Sequence, residues 1–265
     1  MNMIRLKANL DIHTINDRLR YGPDIVELYL GDKDMERPGV IRDRIRLLHE
    51  KGVKPYLHHP PRYGRSYLDI LSEDPDMYRF YRQSSELLAG ICRDEGAKCI
   101  IHANYVGFSE KPSREATRRM RREIESIQQY AAGLFLWEDS IEGIFCHSNP
   151  YLMEEIVVPL NLPLNVDVSH TFIAFQGDNA KLEDVLRATK PYAAYYHLVD
   201  SMGLSHDSLP LGRGKIDWAM VKPYVLDCDF IFEIGLTGDH SDCTPMVESA
   251  RYFERVEPIG SIQLR

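Results

Sequence analysis

Six residues capable of acid–base or metal chemistry stand at the ends of six short apolar runs. They are His58 in KPYLHHP, His102 in KCIIHAN, Glu138 in LFLWEDS, Asp167 in LNVDVSH, His197 in YYHLVDS and Glu233 in FIFEIGL. They follow one another at intervals of 44, 36, 29, 30 and 36 residues, each about one strand-plus-helix unit. One polar residue after an apolar strand ordinarily marks only the point where the chain reaches water, but six in succession are different. If the runs are strands of one closed sheet, their ends face one another, and three carboxylates gathered in a cavity repel unless a cation holds them. The pattern therefore points to a divalent metal ion. Two Glu, one Asp and one His make an oxygen-dominated set that suits Mn²⁺, Mg²⁺ or Co²⁺. Enlisting His58, His102, His170 and His206 as well would draw the site toward Zn²⁺.

The elements that must position these residues are legible as alternation. Short runs rich in β-branched and aromatic residues cover 4–10, 25–30, 53–58, 97–102, 134–138, 162–167, 192–197 and 230–233. They are too short for helices and read as buried parallel strands. Between them lie helical patterns. Residues 40–51 place Ile41, Ile45 and Leu48 at helical spacing before Gly52, and 76–95 runs through Leu87, Leu88 and Ile91 to Gly96. Residues 113–130 begin at Ser113 after Pro112, and shorter helices are expected over 182–186, 218–225 and 246–253. The connection between Leu10 and Ile25 is short for a full helix. Eight strands separated by helices predict an α/β fold of the (β/α)8 TIM barrel type, one domain over residues 1–265. A doubly wound open sheet is the second candidate, but DIHTIND after the first strand lacks the Gly-rich phosphate turn of that fold. Phe135 and Trp137 alternate with the face of Glu138 and are expected to pack outward, under helices.

Composition removes several classes of function. The 265 residues are 44% hydrophobic and 27% charged with a net charge of −8, which describes a folded chain and argues against broad nucleic-acid or anionic-membrane binding. The run Arg118, Arg119, Arg121 and Arg122 lies mid-helix and reads as a solvated face. No apolar run approaches the roughly 20 residues of a membrane helix. The start, MNMIRLKANLD, has no apolar segment or small-residue cleavage site of a secretory signal. Cys92, Cys99, Cys146, Cys228 and Cys243 are odd in number and widely spaced, so they read as core residues of a reduced, cytoplasmic protein rather than a disulfide framework.

From about residue 53 to 233 the chain resembles the xylose-isomerase-like barrel superfamily, which includes sugar epimerases, ketose and hydroxypyruvate isomerases, inosose dehydratases and endonuclease IV. The resemblance rests on His58-His-Pro, Ile-Ile-His102, Leu-Trp-Glu138-Asp-Ser, Asp167-Val-Ser-His170, His197-Leu-Val-Asp200-Ser, Pro-Leu-Gly212-Arg-Gly214-Lys-Ile-Asp217 and Phe-Glu233. It implies that Glu138, Asp167, His197 and Glu233 form the tetrad that binds one divalent metal in the epimerases. His58 and His102 fall where the three-zinc nuclease keeps histidine ligands and where epimerases contact substrate. His170 matches a substrate-oxygen contact in the epimerases and a third-zinc ligand in the nuclease. Where the family often has an Asp and a His before the Gly-x-Gly, this chain has His206 and Ser208. A serine hydroxyl is a poor zinc ligand, which counts against a complete third site.

The expected activity is isomerisation or epimerisation of a small sugar, sugar phosphate or related hydroxy-carbonyl compound through a metal-stabilised enediolate. An inosose-type dehydratase and an endonuclease IV-like zinc phosphodiesterase are the alternatives on the same scaffold. Glu138 and Glu233, on strands three apart, are the expected catalytic acid and base, with Asp167 and His197 as pure ligands. Asp200 is expected either to orient His197 or to cap the next helix. The expected substrate contacts are His58, His102, His170, His206 and Arg213, the last because Gly212 and Gly214 would let backbone approach a ligand. Arg62, Tyr63 and Arg65 of PPRYGRSY are placed near the mouth, where they would hold a phosphate or carboxylate. A homodimer or homotetramer is possible, with the tail EPIGSIQLR contributing.

Overall fold

The computed structural model describes residues 3–105 and 111–258, so most of the tail singled out above, 259–265, lies outside the described residues. In chain order the elements are β1 (Arg5–Ala8), α1 (Ile12–Leu19), β2 (Ile25–Tyr29), α2 (Pro38–Glu50), β3 (Lys54–His58), β4 (Arg62–Tyr63), β5 (Ser66–Tyr67), α3 (Pro75–Glu95), β6 (Lys98–His102), α4 (Arg114–Ala131), β7 (Phe135–Glu138), α5 (Val158–Leu160), β8 (Leu164–Asp167), α6 (Val168–Ala174), α7 (Asn179–Thr189), β9 (Ala193–Leu198), α8 (Trp218–Val225), β10 (Asp229–Phe232) and α9 (Thr244–Arg255). Eight parallel strands close into a barrel in the order β1-β10-β9-β8-β7-β6-β3-β2, while β4 and β5 form a separate antiparallel hairpin. Each expected strand run falls on a barrel strand, and the (β/α)8 architecture is the observed one.

The alternation of strand side chains explains both the core and the mouth. One parity faces outward: Leu6, Val26, Leu57, Ile101, Phe135, Trp137, Val166 and Phe232 are buried beneath the helices, as expected for Phe135 and Trp137. Burying such a side chain contributes about 1.5–3 kcal/mol each. The other parity faces the barrel axis, where Ile25, Tyr56, Ile100, Leu136, Tyr195 and Ile231 form a separate apolar plug. One step further along the same parity come Glu27, His58, His102, Glu138, His197 and Glu233. Lys7 on β1 and Asp167 on β8 share that level by the same alternation. The plug is thus the floor on which a ring of polar side chains stands.

Local signals set the helix ends. Asp74 caps α3 with Pro75 in its first turn, and Gly96 ends it at φ 70°, a left-handed position that favours glycine. Ser113 Oγ accepts from Ala116 N at 3.1 Å to start α4. The connection after Leu10, short as it is, still forms α1. Arg114 and Arg118 of α4 pair with Glu154 and Glu155, and Arg121 with Glu125, while Arg119 and Arg122 are exposed on the barrel's outside. The five cysteines are free, and Cys92, Cys99, Cys146 and Cys243 are buried. No helix among the described residues is long and apolar enough to cross a membrane.

His59, behind the mouth, is 1% exposed, and burial lowers its pKa from 6.5 to about 3. The unfolded chain therefore takes up a proton below about pH 6.5 that the folded chain refuses until about pH 3. Stability contributed by the neutral ring is complete above that range and falls as pH drops through it, by up to about 1.4 kcal/mol per pH unit. Urea unfolding of wild type and His59→Gln between pH 6.5 and 4 should show a flatter acid slope in the variant; equal slopes would contradict a neutral buried ring.

Candidate metal centre

The polar ring converges. One ligand atom each from Glu138, Asp167, His197 and Glu233 lies within 4.8 Å of the others. His197 Nδ1 is 2.6 Å from Glu233 Oε2, 3.2 Å from Glu138 Oε1 and 3.8 Å from Asp167 Oδ2. Glu138 and Glu233 therefore start from strands three apart and still reach one imidazole nitrogen. A second group, His58, His102 and Glu138, likewise brings one ligand atom each within 4.8 Å of the others and shares Glu138 with the first. There Glu138 Oε2 stands 3.2 Å from His58 Nε2 and 3.3 Å from His102 Nε2.

Helix capping prepares Asp167. It ends β8 and also caps α6, its Oδ1 accepting from Ser169 N at 2.8 Å and His170 N at 2.9 Å. That leaves Oδ2 buried, without a hydrogen-bond partner, among the other ligand atoms. A buried carboxylate oxygen without a partner is costly unless something cationic completes it. Three carboxylates, one imidazole and this unpartnered oxygen fit a divalent ion. The Asp-x-x-His spacing follows from the same cap, since it places His170 in the first turn of α6. His170 Nδ1 donates to the Asp139 carbonyl at 2.8 Å.

The electrostatics agree with a cation-seeking site. Burial alone would raise the carboxyl of Glu138, but His102 and His197 hold it well below the usual range. Burial is likewise outweighed at Glu233, where His197 and Lys7 keep the carboxyl ionised. Burial disfavours charge on His197, yet Glu233, Glu27 and Glu138 raise its pKa well above the ordinary value. For His170 burial is outweighed by Asp167 and Glu138, giving about 9, whereas burial takes His102 down to about 3.

Above the ligands lies a cavity of about 200 Å³ lined by His58, His102, His170, His206, Glu138 and Glu233, together with Lys7, Tyr29, Arg62, Tyr67 and Tyr105. That volume is below the usual range for drug-sized ligands and suits only a small molecule. Four of the five expected substrate contacts thus line one space. Arg213 does not. It is exposed on a separate surface depression with Glu248, Arg251, Tyr252 and Arg255. The flanking glycines serve packing instead: a Cβ on Gly214 would sit 2.3 Å from Asp200 Oδ1, and one on Gly212 2.5 Å from the Tyr252 ring. Asp200 does not touch His197 either. It gathers the loop before α8 by accepting from Ser201 N, Gly212 N, Ile216 N and Trp218 Nε1. Of the loop PPRYGRSY, Arg62 reaches the cavity, whereas Tyr63 stacks on Phe80 outside it.

A sequence profile of the xylose isomerase-like TIM barrel family matches residues 19–234. The chain belongs to this family. No curated protein matches it closely enough in sequence to be counted. Among solved structures, a D-tagatose 3-epimerase-like protein superposes with a TM-score of 0.73 at 14% identity, covering 96% of this chain and 97% of the other. D-psicose 3-epimerase with D-tagatose, from Clostridium cellulolyticum H10, gives 0.70 at 12% identity over 97% and 100% of the chains. The IOLI protein with a binding zinc atom gives 0.66 at 16% identity over 95% and 96%. At these identities the likeness is one of fold.

Two members of the xylose isomerase-like barrel's polar ring escaped a scan of strand ends, because they lie inside apolar runs. Glu27 is fully buried in β2, and its Oε2 is 2.8 Å from His197 Nε2, the contact that orients the imidazole in place of Asp200. Lys7 on β1 pairs with Glu233 and stands 3.2 Å from Glu27 Oε1. The signal that marks them is parity: IRLKANL and IVELYL each place a charge on the inward face of a strand whose outward face is apolar. Glu27→Gln removes the charge that makes His197 a better ligand, so Mn²⁺ affinity measured by calorimetry should fall roughly 10–100-fold. Unchanged affinity would mean that His197 is not a ligand or needs no such support.

Proposed function

We propose that the protein is a divalent-metal-dependent isomerase or epimerase of a small sugar, sugar phosphate or related hydroxy-carbonyl compound, acting as one barrel domain. The observation that carries this reading is the convergence of Glu138, Asp167, His197 and Glu233 around an unpartnered carboxylate oxygen at the floor of a small-molecule cavity. Family membership and solved neighbours described as sugar 3-epimerases support the same class. A divalent ion held by the four residues would polarise a substrate carbonyl as a Lewis acid, with Mn²⁺, Mg²⁺ or Co²⁺ favoured by the oxygen-rich set and Zn²⁺ admissible.

The protein's own groups do the rest. Glu138 and Glu233 are both ionised, and both line the cavity from different walls. One takes the proton from the carbon beside the carbonyl; the other, ionised at rest, takes up a proton from water at the open side of the cavity and gives it to that carbon, and the first then releases its proton to water. Asp167 and His197 act as ligands, the first fixed by its helix cap and the second by Glu27. His170 has Nδ1 committed to a backbone carbonyl, which leaves Nε2 to donate to the substrate oxygen on which charge develops. His58 and His102, both in contact with Glu138, hold that carboxylate in place and present ring edges to substrate.

With a ketose screen in hand, Glu138→Gln and Glu233→Gln should each lower metal-supported turnover by about 10²–10⁴-fold, and chelation should abolish what Mn²⁺ restores. Turnover indifferent to both substitutions would overturn the reading. A zinc phosphodiesterase is the second reading, favoured by the His58–His102–Glu138 group. It requires incision of abasic-site DNA by zinc-loaded protein; the isomerase reading expects none.

A further inference from the structure

Lys7 is a charged residue at the mouth for which the chemistry above has no task. Its side chain is 11% exposed, its ammonium pairs with Glu233, and Glu27 Oε1 and the Tyr29 ring lie 3.2 and 5.6 Å away. The strand behind it is pinned. The Lys7 carbonyl accepts from Arg18 Nε at 2.9 Å, and Arg18, 2% exposed, is tied in turn to Asp17 and to the Ser241 carbonyl at 3.1 Å. Lys7 is thus delivered by the fold to one carboxylate of the tetrad and cannot withdraw by a shift of β1.

We propose that Lys7 is a resident counter-cation that holds Glu233 in the metal-free protein and competes with the divalent ion for it. The inference rests on the metal reading given above. Glu27, Glu138, Asp167 and Glu233 place four carboxylates around His197, an arrangement that needs positive charge whether or not a metal is present. Lys7 supplies one such charge. The same charge opposes an incoming cation, because the ion must share or displace the Lys7–Glu233 contact and meets a like charge at the site. Glu27 provides the second seat. Already beside the ammonium, it allows Lys7 to give up Glu233 while keeping a carboxylate partner. Lys7 is on this account a positioning residue, acting through Glu233 rather than on substrate.

The test is Mn²⁺ titration by calorimetry of chelator-stripped wild type, Lys7→Met, Lys7→Arg and Asp167→Asn, with thermal unfolding of each with and without metal. The expected result is that Lys7→Met binds Mn²⁺ at least about tenfold more tightly than wild type, while Lys7→Arg, which keeps the charge, stays within about threefold. Metal-free Lys7→Met should also unfold at a lower temperature and gain more from metal than wild type gains. Equal or weaker binding by Lys7→Met overturns the proposal. If wild type binds through Asp167 but Lys7→Met binds no more tightly, the Lys7 assignment alone fails; if neither wild type nor Lys7→Met binds, both it and the metal reading fail. Should Lys7→Met not fold, ¹³Cε-lysine spectra of wild type decide the matter. One equivalent of Zn²⁺ must move a lysine signal that Lys7→Arg lacks, and a stationary signal overturns the proposal.

Discussion

Four carboxylates brought within a few ångströms of one buried imidazole set the terms for everything else at this barrel mouth. Two like charges 4 Å apart repel by about 4 kcal/mol at an effective dielectric of 20, so the group stands only if positive charge is built in or bound. The protein builds in part of it. His197 has a carboxylate at each ring nitrogen, Glu27 at Nε2 and Glu233 with Glu138 at Nδ1, and Lys7 bridges Glu27 and Glu233. What it does not complete is Asp167 Oδ2, buried and without a hydrogen-bond partner. The unbalanced remainder of the charge is what suits the site to a cation.

The surrounding structure serves to hold this unfavourable group together. An apolar plug from Ile25 to Ile231 fills the barrel beneath it, so the polar ring has a dry floor and a single open side. Helix α6 begins on the ligand itself, which spends one oxygen of Asp167 on backbone amides and reserves the other. Asp139 accepts from Asp167 N and contacts Thr171 Oγ1, locking the join between β8 and α6 from below. Each device fixes a ligand through an interaction that the ligand would make anyway in folding. A site fixed in this way would need little reorganisation to take up an ion, and fixed charges that need no reorganisation are the ones most effective in catalysis.

The glycines of Leu-Gly-Arg-Gly-Lys show how a motif can be read correctly as constrained and wrongly as to cause. Gly212 and Gly214 are needed because Tyr252 and the Asp200–Ser201 backbone occupy the space a side chain would take. Arg213 between them is carried to the surface by that packing, away from the cavity it was expected to line. Asp200 likewise serves the loop, through four donors, and not the imidazole three residues before it. In both instances packing within the loop before α8, and not a bound ligand or the imidazole, accounts for the residue.

Alternation of apolar runs with helical patterns, at eight strands' worth of chain, was enough to determine the barrel, and the polar residues ending six of those runs were enough to indicate part of the ring of side chains at its mouth. Both are local properties: strand burial is written in short apolar runs, and the last inward position of a parallel strand faces the axis whatever the rest of the molecule does. The sequence could not by itself decide what depends on how far each strand is displaced along the axis. Lys7 and Glu27 lie mid-run, yet the register of β1 against β2 and β10 lifts them to the level of Glu233 and His197. Only the closed barrel decides that level, because shear between strands is set by the ring as a whole and by no residue within it.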